Sequence, residues 1–122
     1  MMNMSLAVTL LAASALLGLV LGWQYLRDTP RKLWMVGFHL ILGVAAMKFV
    51  VLFMLGETAE GSLLRTLGNG AVLATALALF SGLVKPVLVR EAKGRLAMSM
   101  VALHAGVGGL GLLLLLAWAA VR

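Results

Sequence analysis

The chain has 122 residues, of which 63% are hydrophobic and 11% charged, too little polar surface to cover a soluble core of this size. Lys and Arg total ten against four Asp and Glu, a formal charge of +6, but the cations cluster in short stretches beside apolar runs, where they set membrane topology, and no nucleic-acid partner is expected. With no cysteine there is no disulfide framework, thiolate metal site or cysteine nucleophile.

Four apolar runs follow, each near the ~20 residues a helix needs to cross a bilayer. The first covers about residues 5–26. It opens MMNMSLAV, without a positive charge, and it is long, so it reads as a span and not as a cleaved signal. The second covers about 33–55, the third 63–85 and the fourth 96–121. Backbone polar groups in lipid must be satisfied within the segment, which makes these runs helices. Short connections make sequence neighbours antiparallel. The expected fold is all-α, with residues 1–122 forming one integral membrane four-helix bundle.

The connections differ in charge. The first, RDTPRK, carries Arg27, Arg31 and Lys32; the third carries Lys85, Arg90, Lys93 and Arg95. The middle one carries Glu57, Glu60 and Arg65, and Arg122 ends the chain. The positive-inside rule puts the first and third connections in the cytoplasm and both termini outside, as expected for a multi-pass protein of a bacterial inner membrane. Trp23, Tyr25 and Trp34 would then form an inner aromatic belt, with Trp118 near the outer interface.

Only two histidines are present, and their surroundings repeat. MVGFHLILG runs from Met35 to Gly43, and MVALHAGVG from Met100 to Gly108, offset by 65 residues. The reading is two parallel helix-pair repeats related by a pseudo-two-fold axis along the membrane normal. His39 and His104 would then face each other in the inner half of the bilayer. Gly43 and Gly108 lie one turn further along the same faces. Gly18, Gly22 and Gly82 fall at similar depth on the other two helices, giving a layer of histidine and glycine with little side-chain volume.

Three readings of that layer are open. In the first, small residues let helices pack closely, Gly18 and Gly22 form a GxxxG pair, and the histidines make interhelical hydrogen bonds. In the second, His39 and His104 are the axial ligands of one haem b held between facing helices, with Arg31, Lys32 and Arg95 available to its anionic propionates. In the third, Met35 and Met100 join the histidines to hold copper(I). The two His-x-x-x-Gly stretches on parallel helices resemble small membrane cytochromes of the b type, which implies the haem reading.

Other classes are poorly served. A proton-driven exporter of cations needs a carboxylate within the membrane, whereas Asp28, Glu57, Glu60 and Glu91 all fall in connections. No catalytic triad, nucleotide loop or carboxylate pair supports independent catalysis. Lys48 lies inside the second run, nine residues past His39 and so on the opposite face. It either snorkels to headgroups or meets a partner subunit. The expectation is an electron-transfer subunit with one bis-histidine haem, inside a larger respiratory or photosynthetic assembly or beside a quinone. The alternative is a cofactor-free accessory subunit of a membrane complex.

Overall fold

The computed structural model describes residues 4–56, 62–84 and 93–121. They form four helices: α1 Met4–Leu26, α2 Leu33–Gly56, α3 Ser62–Leu83 and α4 Gly94–Val121. Each is long and apolar enough to cross a membrane, consistent with a multi-pass membrane protein. The described stretch of α3 ends at Leu83 rather than 85, and α4 opens at Gly94, two residues before the expected start. Glu57, Glu60, Lys85, Arg90, Glu91 and Arg122, used above to orient the chain or to argue against an exporter, lie outside the described residues.

The α1–α2 turn is closed by its own backbone. The Thr29 amide donates to the Gln24 carbonyl at 2.9 Å and the Asp28 amide to the Tyr25 carbonyl at 3.2 Å. Asp28 takes φ 52°. This is the Schellman arrangement, which caps the last carbonyls of a helix with one left-handed residue, here an aspartate, and Pro30 follows where a helix cannot continue. Arg27 then lies 4.6 Å over the Trp23 ring and Arg31 5.5 Å from the Tyr25 ring. Trp23 and Trp34 are exposed beside this turn. We call this the basic end, and the opposite end, where α1 begins and α4 finishes, the far end.

The helices pack in a ring, α1–α2–α3–α4, with α1 closing on α4. Contacts within the two hairpins, α1–α2 and α3–α4, are much more extensive than those between hairpins. A seam therefore runs between the hairpins, and α2 and α4 are diagonal across it.

The seam is well filled only toward the far end. There Ala7, Leu11, Ala46, Val50, Ala71 and Leu115 form one buried cluster. Trp118 is 1% exposed, and its ring meets Phe53 edge to face at 5.2 Å. Trp118 stands three residues before the end of α4, at the level expected of it, but it faces the bundle interior and not the surface. Gly111 brings α4 against α3, since a Cβ there would stand 3.0 Å from Thr75 Oγ1 and 3.2 Å from the Thr75 backbone nitrogen. Toward the basic end the packing thins. Ala97 is the one fully buried hydrophobic among the described residues of that region. Gly22 is on the face of Gly18 by spacing, yet nothing lies within 4 Å of where its Cβ would be.

Candidate functional site

Between the filled far half and the basic end stand the two histidines. His39 and His104 each precede the last residue of their helix, Gly56 and Val121, by seventeen positions. Because α2 and α4 are diagonal, their rings cross the bundle centre, with centroids 5.8 Å apart and planes at 85°. Both are half-buried.

Each ring is held from its own hairpin. His39 Nδ1 lies 2.8 Å from the Ser14 backbone oxygen, and His104 Nδ1 lies 2.8 Å from the Ala78 backbone oxygen. A carbonyl oxygen can only accept, so both Nδ1 atoms carry hydrogen and donate. In a neutral imidazole this tautomer puts the lone pair on Nε2. A serine stands beside each contact. Ser14 Oγ is 3.3 Å from His39 Nδ1 and donates to the His39 carbonyl at 3.1 Å. Ser81 Oγ is 3.3 Å from His104 Nδ1 and donates to the Ala78 carbonyl at 3.0 Å.

Two glycines make room for these rings. A Cβ on Gly18 would stand 2.9 Å from His39 Cε1, and one on Gly82 would stand 2.7 Å from His104 Cε1. Gly43 and Gly108 do something different. Their Cβ positions are 3.4 Å from Ser14 Oγ and 3.6 Å from Ala78 Cβ, so they admit the neighbouring helix at ordinary contact distance. Gly22 meets neither a ring nor a helix.

At the basic end an open cleft of about 600 Å³ lies between the α1–α2 turn and the start of α4. The first hairpin contributes Tyr25, Asp28 and Arg31 to its wall, and the start of α4 contributes Arg95 and Met98. Two of the three basic residues singled out for an anion thus meet at one mouth from opposite hairpins. Lys32 is exposed and does not line it. Met35 sulfur receives the Gln24 side-chain amide at 3.8 Å. No group of three or more His, Cys, Asp or Glu that could hold a metal occurs among the described residues.

The serines, the carbonyls of Ser14 and Ala78, and the Phe53–Trp118 pair were not marked by sequence reasoning. The serines could have been: each falls on the helix before a histidine, at a depth where few polar residues occur. No protein-family model matches the chain, and no curated protein or solved structure shows a significant match.

Proposed function

We propose that the chain is a membrane electron-transfer subunit of the b-type cytochrome kind, with one haem held by His39 and His104 between α2 and α4. The observation that carries this reading is the pair of Nδ1 contacts. Metal-bound imidazoles commonly donate their second nitrogen to a carbonyl or carboxylate, which orients the ring and raises its basicity. Both rings here are held that way before any metal is considered.

The spacing also fits. An imidazole nitrogen binds a first-row metal at roughly 2 Å, and the ring centre lies about 1 Å behind it, so two imidazoles sharing one metal would hold their centroids roughly 6 Å apart. The observed 5.8 Å is close to that. Gly18 and Gly82 leave no side chain at the ring edges, and Gly22 faces open space. Arg31 and Arg95 at the mouth would suit carboxylates of a macrocycle. Haem, when bound, supplies one-electron exchange at a potential tuned by its surroundings. The chain's own residues orient the imidazoles, exclude water from the far side and offer cations at the basic end.

The two-hairpin repeat belongs to the same proposal. Buried residues recur at nearly the same offset: Ala46 and Val50 on α2 correspond to Gly111 and Leu115 on α4, 65 residues on, and Ala7 and Ser14 on α1 to Ala71 and Ala78 on α3, 64 residues on. Phe53 and Trp118 share the 65-residue offset of the histidines and also meet across the centre. These correspondences support a pseudo-two-fold axis along the bundle. We place the basic end in the cytoplasm of a bacterial inner membrane by the positive-inside rule.

One observation favours the second reading, a cofactor-free accessory subunit: each imidazole already has a hydrogen-bond acceptor on the neighbouring helix, as a purely structural histidine would. Absorption spectra separate the two. Protein purified from haem-replete cells should show a Soret band and low-spin visible bands, lost or converted in His39→Ala and His104→Ala. A colourless wild-type protein would leave the accessory reading alone.

A further inference from the structure

Two polar side chains lie inside apolar spans and face outward. Lys48 on α2 and Asn69 on α3 are both exposed, and their helices adjoin in the ring. Lys48 precedes Gly56 by eight residues and Asn69 follows Ser62 by seven, which puts both roughly 10–12 Å from the far end at the helical rise. Neither has a hydrogen-bond or ion-pair partner among the described residues. Lys48 is on the face opposite the fully buried Ala46 and Val50, between exposed Val44 and Leu52.

In hydrocarbon both groups need partners. A lysine has a long stem and can reach headgroups by snorkelling, so Lys48 alone would point only to lipid. The side chain of Asn69 is far too short for that. An amide left without a partner in an apolar medium is costly, and polar residues of this kind join one membrane helix to another. A second copy of this chain is a poor source of the matching anion, since no Asp or Glu occurs in the sequence from Met4 to Leu26, Leu33 to Gly56, Ser62 to Leu83 or Gly94 to Val121, the described helices.

We infer that Lys48 and Asn69 mark a lateral docking surface for a transmembrane helix of a different membrane protein, one that carries an Asp or Glu at this depth. The ammonium pairs with that carboxylate, and the Asn69 amide hydrogen-bonds to the same subunit. This surface is separate from the histidine layer, and its test does not depend on haem.

A membrane-permeant carbodiimide applied to native membranes tests it. The reagent activates a carboxylate, which a neighbouring amine attacks to give an amide with loss of the urea. The expected product joins Lys48 to an Asp or Glu within a span of another polypeptide, identified by peptide mass spectrometry. Native extraction without cross-linker should then recover that polypeptide with wild-type and Lys48→Arg protein. Recovery should fall by roughly tenfold in Lys48→Leu and in Asn69→Leu, the scale of one polar contact in a membrane interface. Both leucine variants make their spans more apolar, so insertion is not at risk. Absence of a Lys48-dependent adduct overturns the inference, as does an adduct to a second copy or to a lipid. Unchanged recovery of the cross-linked polypeptide in both leucine variants overturns it too.

Discussion

His39 and His104 bring their ring centroids to 5.8 Å although α2 and α4 are diagonal in the bundle. Fourteen residues further along each helix, Phe53 and Trp118 cross the same centre at 5.2 Å and the same 85°. The bundle is therefore bridged twice on one diagonal. The Phe53–Trp118 bridge lies toward the far end with Trp118 fully buried, while the histidine bridge is half-buried and lies nearer the end that carries Arg31 and Arg95.

Gly18→Ala and Gly82→Ala should each disturb their imidazole. The new methyl would overlap Cε1 of a ring whose Nδ1 is already tied to a carbonyl, so the ring cannot swing away without breaking that bond. Overpacking of this kind costs about 1–3 kcal/mol. Under the haem proposal, the ratio of Soret to protein absorbance should fall in both variants. Gly22→Ala, with open space around it, should keep that ratio near wild type.

Gly43→Leu and Gly108→Leu should act through the hairpins. Each glycine faces the helix that supplies the Nδ1 acceptor, at Ser14 and Ala78. A leucine would push that helix away and lengthen the bond. Alanine fits at ordinary contact distance and should be tolerated. Thermal unfolding in detergent should separate the pairs, with the leucine variants lower by several degrees; equal midpoints for leucine and alanine would contradict the packing described.

Trp118→Ala should destabilise by about 3–5 kcal/mol, the usual range for deleting a buried large aromatic. Its ring is 1% exposed and its Phe53 partner would lose an edge-to-face contact. The histidine layer is about four turns away, so any haem spectrum should keep its shape at temperatures where the variant is folded. A change in that spectrum without loss of stability would show that the two bridges are coupled.

Asp28→Gly should raise stability by about 1 kcal/mol, because glycine adopts a left-handed conformation without the Cβ penalty that an L-residue carries. Asp28 has φ 52° at the cap of α1. Asp28→Val should do the reverse and loosen the turn that presents Arg31 to the cleft. Thermal midpoints of the two variants, measured side by side, check the sign.

Topology follows from charge. If the basic end is cytoplasmic, a reporter fused after Arg122 should be active only outside the cytoplasm, and one inserted after Thr29 only inside. Cytoplasmic activity at Arg122 would invert the assigned sides while leaving both histidines at one level.

Four spans, their order and a polar lysine facing away from His39 were legible in the sequence, because hydropathy and helical spacing act along one chain and need no partner. The shared offset of the histidines was legible for the same reason. What the sequence could not supply was contact. Every residue has a backbone carbonyl, so nothing marked those of Ser14 and Ala78 as the acceptors for Nδ1. Trp118 suits a membrane interface and a bundle core equally well by composition, and only the rotation of α4 against α2 chose the core. Gly18 and Gly22 look alike in a GxxxG pair, but one touches an imidazole and the other faces open space. Hydropathy is a property of a segment, whereas the site is made where segments meet, and that meeting was decided by tertiary packing alone.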